Sequence, residues 1–390
     1  MSERAEFCLR YQRGERMTDL CREYGVSRTT GYKFIKRFQH RGVVALADKS
    51  RAPRRTRRTA EPIRQKVLEL RRKQPTWGPL KLRAVLEREQ PGIKWPAAST
   101  IGELLVREGL VRRRKKRSPQ QSAFQSGLSE PHSPNDVWAM DFKGEFRLGN
   151  TRYCYPFTVS DLASRYVHIC EAFERIHTDD VRTALEELFE QCGIPFAIRS
   201  DNGSPFASSK SLFGLTRLSA WLLTLGIALE RIVPGQPQQN GCHERMHRTL
   251  KADSCRPAAH NVLSQQERFD RWRHTFNHRR PHEALALRTP ADIYQPSRRS
   301  YAPTPLSYPL HDEVKRVSAC GHVRLLRSRN RGAAFLSSAL AGQQVGVREL
   351  DSGLLLLTFV NLDLGHFDPI SRSFERADLS PKPKPTTKNL

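Results

Sequence analysis

Three acidic side chains sit where a divalent cation could be held. Asp141 lies inside the short run Val137-Trp138-Ala139-Met140-Asp141-Phe142-Lys143, and Asp201 follows directly on Phe196-Ala197-Ile198-Arg199-Ser200. Glu244 stands early in a stretch opened by Asn240-Gly241. Carboxylate oxygens are the donors that hard ions such as Mg2+ take, usually with several waters retained. The same glutamate also falls within His243-Glu244-Arg245-Met246-His247, an H-E-x-x-H pattern. On a helix, that pattern places two imidazoles on one zinc ion and leaves the glutamate as general base of a metalloprotease. A zinc protease gives no task to Asp141 or Asp201, so the elements around the acids must separate the two readings.

Those elements alternate in a definite order. The run from Val137 is β-like with one acid inside it, and Arg152 to Asp161 and Tyr166 to Phe173 supply two further β-rich stretches after a Gly149-Asn150 turn. Thr178 is expected to cap an amphipathic helix with Val181, Leu185, Leu188 and Phe189 on one face. The run ending at Ser200 leads into Asp201, a helix is predicted over roughly 211–225, and a fifth strand from Ile227 to Val233. A Pro/Gln-rich loop then precedes the helix that holds Glu244.

The order β-β-β-α-β-α-β-α, with acids on the first strand, after the fourth strand and on a late helix, resembles the RNase H-like fold. More narrowly, it is similar to the catalytic core of DDE transposases and retroviral-type integrases. The residues that carry the resemblance are Trp138-Ala139-Met140-Asp141-Phe142, Ser200-Asp201-Asn202-Gly203-Ser204-Pro205-Phe206 and Asn240-Gly241-Cys242-His243-Glu244-Arg245-Met246-His247-Arg248-Thr249-Leu250-Lys251. Downstream, Phe276-Asn277-His278-Arg279-Arg280-Pro281-His282 with Thr289-Pro290 looks like the integrase-type transposases of bacterial insertion sequences. The resemblance covers about residues 1–298. One departure is the 42 residues between Asp201 and Glu244, more than these families commonly have, and the extra length fits around Ser208–Gly226.

The resemblance implies a phosphoryl-transfer chemistry that needs such acids. Cutting and joining phosphodiesters gathers negative charge around one phosphorus, and two divalent ions can stabilise both the attacking and the leaving oxygen. Asp141 would bridge two Mg2+ (or Mn2+) ions, Asp201 would hold one and Glu244 the other. Water would be the nucleophile for nicking and a DNA 3′-hydroxyl for joining. Arg248 and Lys251, four and seven residues past Glu244, share its helix face and would contact phosphates, with Asn240 capping the helix.

Charge points to the same class of partner. The chain has 390 residues, 66 Lys+Arg against 40 Asp+Glu, a formal net charge of +26 and a pI near 10.3. Residues 1–120 hold 32 of the bases and 12 of the acids. A polyanion is the expected partner of such a chain, and double-stranded DNA is the first candidate.

Within residues 17–38, a helix with Leu20 and Tyr24 inward should end at Gly25, and Ser27 should cap a second helix with Phe34, Ile35 and Phe38 buried. Its outer face would carry Arg28, Thr29, Lys33, Lys36 and Arg37 towards base edges and phosphates. Residues 49–59, with Arg54 and Arg55, read as a basic linker. A second, winged helix-turn-helix-like unit is expected over 60–117, built on Ile63, Val67, Leu70, Leu82, Val85 and Leu86, with Thr100 and Glu103 as a capping box. Arg112-Arg113-Arg114-Lys115-Lys116-Arg117 closes it as a cationic run able to release counterions on DNA.

The expected organisation is multidomain. It comprises an all-α helix-turn-helix domain at 1–48, the basic linker, the second module, a linker at 118–133, and an α/β RNase H-like core with a mixed five-stranded sheet at 134–255. A helical extension at 256–298 comes next, with Phe269, Trp272 and Phe276 on one face. A small all-β domain at 301–375, SH3-like, and a Pro/Lys-rich tail at 376–390 read as disordered complete the chain. A hairpin is predicted from Val314 to Leu326 around Gly321, and another around Asp351-Ser352-Gly353.

No window approaches the apolar length of a membrane span, and residues 1–20 have no signal-peptide core. The eight scattered cysteines lack any C-x-x-C and suit reduced thiols, so a cytoplasmic, nucleoid-associated protein is expected. Synapsis of two element ends would require a dimer or tetramer on DNA. The alternatives are a transposon-derived DNA-binding regulator without catalysis, or the zinc protease through His243, Glu244 and His247.

Overall fold

The computed structural model describes residues 3–48, 59–111, 128–208, 211–233, 236–302, 305–326 and 332–377. Arg54, Arg55, the run Arg112 to Arg117 and the tail beyond 377 lie outside the described residues. Among the described residues no helix is long and apolar enough to cross a membrane. The chain divides into two compact units, 1–60 and 61–390.

The first unit has three helices, α1 (Glu3–Gln12), α2 (Met17–Glu23) and α3 (Arg28–Arg41). Gly25 makes the turn at φ +63°, and the Ser27 hydroxyl accepts from the Thr30 amide to cap α3, as its position implies. The helix α1, whose Phe7 and Cys8 are buried with Leu20 and Ile35, was not legible in the sequence. Gly31 is where α3 crosses the other two helices, since a Cβ there would stand 2.8 Å from Met17 Sδ.

The second unit opens with α4 (Glu61–Lys73), α5 (Pro79–Glu89) and α6 (Ala98–Arg107), wrapped on Trp77, Leu82, Val85 and Leu105. No strand is present among residues 59–111, the described part of the second module, so the expected wing is not seen there. Thr100 does not cap α6. The helix already begins at Ala98 after an extended Ala97, which places Thr100 inside it.

This module is also tied to helices much later in the chain. Arg279 pairs with Glu89 at 2.6 Å, and the Arg88 guanidinium donates to the Arg279 carbonyl at 3.2 Å. Thr76 donates to Asp253 at 3.3 Å.

The core sheet contains β1 (Val137–Phe142), β2 (Phe146–Arg147), β3 (Tyr153–Asp161), β4 (Val167–Phe173), then α7 (Thr178–Cys192), β5 (Ala197–Ser200), α8 (Arg217–Thr224), β6 (Ala228–Arg231), α9 (Gly241–Ser254) and α10 (Val262–His278). The main strand order is β4-β3-β1-β5-β6, with β3 antiparallel to β1 and β5 parallel to both β1 and β6. This is the expected mixed five-stranded sheet, with the two-residue β2 added beside β3. Trp138, Phe157, Val159, Leu185, Phe189 and Leu222 fill the layer between sheet and helices. Thr178 is the first helical residue of α7 rather than its cap, because His177 before it takes the extended cap conformation.

On the sheet's other edge, α10 lies along β4. Asn277 accepts from and donates to the Val167 backbone, each at 2.9 Å, while Gln266 does the same to Ala172 (2.8 Å) and Cys170 (3.1 Å). These side-chain amides occupy the groups an open strand edge would otherwise expose. Phe269, Trp272 and Phe276 are buried beneath them against Cys170, Met246 and Leu250.

The last segment carries β7 (Glu313–Arg316), β8 (His322–Arg324), β9 (Ala333–Phe335), β10 (Gln344–Glu349), β11 (Leu355–Phe359), β12 (Leu362–Asp368) and β13 (Ser373–Arg376). A five-stranded antiparallel sheet runs β13-β12-β11-β10-β7, with β8 and β9 paired separately. The hairpin around Asp351-Ser352-Gly353 is present. The one expected around Gly321 is not, because β7 pairs with β10 and β8 with β9. Gly321, at φ +79° and packed on the Ser337 backbone, sends the chain across to β9 instead of back.

This sheet shares a core with the central α/β layer through Leu212, Leu215 and Ala220, which pack with Leu340, Phe359 and Phe367. The predicted helix over 211–225 therefore begins only at Arg217, and the extra length before it docks the β region. All eight cysteines are free thiols.

Buried histidines give the fold an acid limit. His168 lies against Trp138 with ring centroids 4.2 Å apart, and burial with nearby Arg273 pushes its pKa down to about 3. Burial and Arg280 push His282 down to about 3 as well. Both rings stay neutral when folded and take up protons in the unfolded chain below its ordinary value of 6.5. Their stabilisation is complete above pH 6.5 and is lost as pH falls towards 3. The expected result is a melting temperature that drops steadily between pH 7 and 4.5, followed by circular dichroism, and a shallower drop in His168→Phe.

Candidate active site

Parallel pairing of β1 with β5 sets the first two acids side by side. The register aligns Val137 with Ala197, Trp138 with Ile198 and Ala139 with Arg199. Two residues further on, Asp141 and Asp201 leave the carboxyl ends of neighbouring parallel strands, the end at which open α/β sheets bind ligands. Asp201 Oδ1 accepts from the Gly203 amide at 3.0 Å, and a Cβ on Gly203 would come within 3.1 Å of Asp201 Oδ2. The Asn202 side chain donates to the Ile232 carbonyl at 2.6 Å and ties this loop to the end of β6.

Glu244 comes from the first turn of α9, where it is exposed. What holds α9 against the sheet is the pair of histidines flanking it. His243 and His247 are 1% and 5% exposed, and their Nε2 atoms lie 2.9 and 2.7 Å from the Thr158 hydroxyl on β3. His243 Nδ1 meets the Ser160 hydroxyl at 2.8 Å, and Thr158 donates to the Asp141 carbonyl at 3.0 Å. The H-E-x-x-H pattern therefore does not build the zinc-protease site, since both Nε2 atoms are spent on one buried hydroxyl while Glu244 faces solvent.

The Asp141 carboxyl feels both other acids. Burial and then the charge of Asp201 raise the Asp141 carboxyl to about 7, with the Phe142 amide and Lys143 opposing them and Glu244 adding the smallest contribution. Its side chain is a quarter exposed. A carboxyl raised in this way gains most from a nearby cation, which offsets both the like charges and the desolvation. The donors are oxygens, as hard divalent ions prefer. Asp141, His243 and His247 also have ligand atoms within 4.8 Å of one another.

A buried ion pair fixes the loop that leads into α9. Arg199 bonds Glu230 at 2.8 Å, with both side chains under 10% exposed, and also donates to the carbonyls of Gln239 (3.2 Å) and Ser129 (2.6 Å). The backbone of Ser129, expected in a linker, is thus tied to the core although the residue itself is exposed. Asn240 occupies the cap position of α9 without capping it. At ψ 25° it continues the preceding turn, and its buried Oδ1 has no hydrogen-bond partner.

The remaining candidates are surface groups. Arg28, Thr29, Lys33 and Lys36 are exposed on α3, with Arg37 half-buried beside them. Arg248 and Lys251 are exposed on α9 along with Glu244. Where α4 and α5 meet α9 and α10, a cleft of about 530 Å³ is lined by Lys73, Arg256, Arg268, Arg271 and Arg280, with Asp253 the acid among them. The basic residues of α10 were legible in the sequence, but this clustering depends on a docking between remote segments that no local pattern announces.

Residues 131–237 match an integrase core domain model, and 225–290 a second model of the same description. Residues 3–54 match a helix-turn-helix domain and 30–105 a homeodomain-like domain. The chain is 26% identical over 234 residues to the insertion element IS407 uncharacterized 31.7 kDa protein of Burkholderia multivorans, which covers 60% of this chain and 80% of that protein. It is 34% identical over 118 residues to the Pol polyprotein of feline endogenous virus ECE1, covering 30% of this chain and only 10% of that polyprotein. The HTLV-2 integrase catalytic core domain solved with magnesium is 15% identical, with 42% of this chain and 98% of that one covered and a TM-score of 0.33. Residues 131–290 thus match an integrase core domain, preceded by matches to helix-turn-helix domains.

Proposed function

We propose that this chain is a DDE-type transposase that nicks DNA at insertion-sequence ends and transfers the freed strand to a second DNA site. Asp141, Asp201 and Glu244 are its catalytic carboxylates and its holders of Mg2+ or Mn2+, two ions per site. Those ions, when bound, stabilise the charge that builds around the phosphorus. The observation that supports the reading is the parallel register of β1 and β5, which sets Asp141 and Asp201 at the carboxyl ends of neighbouring strands, where Asp201 and, least of all, Glu244 raise the Asp141 carboxyl.

In nicking, water forms a bond to the phosphorus and the bond to the strand's 3′-oxygen breaks, leaving a 3′-hydroxyl and a 5′-phosphate. In joining, that 3′-hydroxyl forms the new phosphodiester and displaces the target strand's own 3′-oxygen, so the number of phosphodiester bonds is conserved. Arg248 and Lys251 hold phosphates beside the scissile bond, while Asn240, expected to contact the strand, is only 5% exposed and is not open to it. Arg28, Thr29, Lys33, Lys36 and Arg37 read the element end from the major groove, while Arg54, Arg55 and Arg112 to Arg117 follow the phosphate backbone. A dimer or tetramer would bring two ends together, at the nucleoid.

The full chain incubated with DNA carrying its flanking terminal repeats and Mn2+ should leave 3′-hydroxyl nicks at the element boundary. End binding without any nick, across Mn2+ and Mg2+, would overturn the reading in favour of a DNA-binding regulator.

A further inference from the structure

We propose that His247 supplies a nitrogen ligand, through Nδ1, to the cation that Asp141 holds, and that Thr158 fixes the ring tautomer which makes this possible. The proposal rests on the carboxylates forming a cation site and adds a residue to it.

The count of protons around Thr158 carries it. This hydroxyl has one proton and two acceptor positions, and it lies within 3.0 Å of the Asp141 carbonyl, 2.9 Å of His243 Nε2 and 2.7 Å of His247 Nε2. The carbonyl can only accept, so the hydroxyl proton belongs there; otherwise two oxygens would face each other at 3.0 Å with lone pairs alone. Both imidazoles must then donate Nε2–H to Thr158. His243 is left with Nδ1 as an acceptor, and the Ser160 hydroxyl at 2.8 Å fills it. Among the described residues, the hydroxyls and imidazole nitrogens of this network all have hydrogen-bond partners except His247 Nδ1.

That lone pair stands 3.8 Å from Asp141 Oδ2. The distance is too long for a hydrogen bond, and this tautomer has no proton on Nδ1 to give. A divalent ion with bonds of about 2.1 Å to each atom spans up to about 4.2 Å, so one ion fits between nitrogen and oxygen. Histidines that bind metals characteristically donate their other ring N–H to a fixed acceptor, which sets tautomer and aim; Thr158 is that acceptor here. A nitrogen donor beside a carboxylate shifts preference from Mg2+, which takes oxygen, towards Mn2+ and Zn2+.

Pulsed EPR of the full chain loaded with Mn2+, unlabelled and with 15N-histidine, tests this without any variant. A bound imidazole should give nitrogen modulation on the Mn2+ signal that changes with the isotope. The modulation should vanish in His247→Ala, and Thr158→Val should weaken Mn2+ affinity by about 10- to 100-fold, with Thr158→Ser restoring it. A Mn2+ signal that depends on Asp141 but shows no histidine coupling would overturn the proposal and leave the carboxylate site standing. Mn2+ binding unchanged in Asp141→Asn would overturn both. Histidine coupling in a protein that never nicks end DNA would support the ligand while counting against the proposed reaction.

Discussion

Asp141→Asn is expected to reduce strand cleavage by on the order of 10³-fold or more while leaving the binding of end DNA intact. The amide keeps the shape of the side chain but removes the charge on which the other two acids converge. Binding survives because the substitution removes no basic side chain. Glu244→Gln should behave in the same way, since Glu244 is exposed and its loss leaves no cavity. Gel-shift affinity and nick yield measured on the same preparations separate the two effects. Equal losses of both would mean that the substitution had damaged the fold rather than the chemistry.

Glu230→Gln should be among the most destabilising single changes in the core, by about 3–5 kcal/mol. It leaves the Arg199 guanidinium, itself only 5% exposed, buried without a counter-charge. The pair also organises the approach to α9, because Arg199 holds the Gln239 carbonyl and Glu230 accepts from the Ser129 amide at 3.0 Å. Arg199→Met combined with Glu230→Gln removes the stranded charge and should recover part of the loss. Chemical denaturation of the three variants checks this, and a double variant no more stable than Glu230→Gln would show that the pair contributes through its backbone contacts instead.

Much of the core was legible in the sequence because it repeats simple periods. Alternation or continuous apolar character marked all five main strands, and the acids fell at strand ends and in a first helical turn, where the structure has them. The helices of both N-terminal modules followed from Leu20, Gly25, Ser27, Val67 and Leu82, although α1 escaped notice because its apolar residues, Ala5, Phe7 and Cys8, are too few to set a clear period.

What the sequence did not carry is non-local. The pairing of β7 with β10 depends on a crossover, not on a turn signal. The docking of α4 and α5 on α9 and α10 depends on pairs such as Arg279 with Glu89, 190 positions apart. The caps assigned to Thr100, Thr178 and Asn240 failed because capping requires an extended backbone at one residue, and the side-chain type alone does not fix where a helix begins. The two histidines around Glu244 show the same limit. Their spacing fits a zinc motif, and only the Thr158 hydroxyl beneath them shows that their Nε2 atoms point elsewhere.

Anomalous scattering from Mn2+ in crystals of the full chain with end DNA tests the central claim most directly. A peak within about 2.2 Å of an Asp141 carboxylate oxygen, shared with Asp201 or Glu244, is the predicted result. Well-occupied Mn2+ elsewhere on the protein, with all three carboxylates bare beside the bound strand, would contradict it.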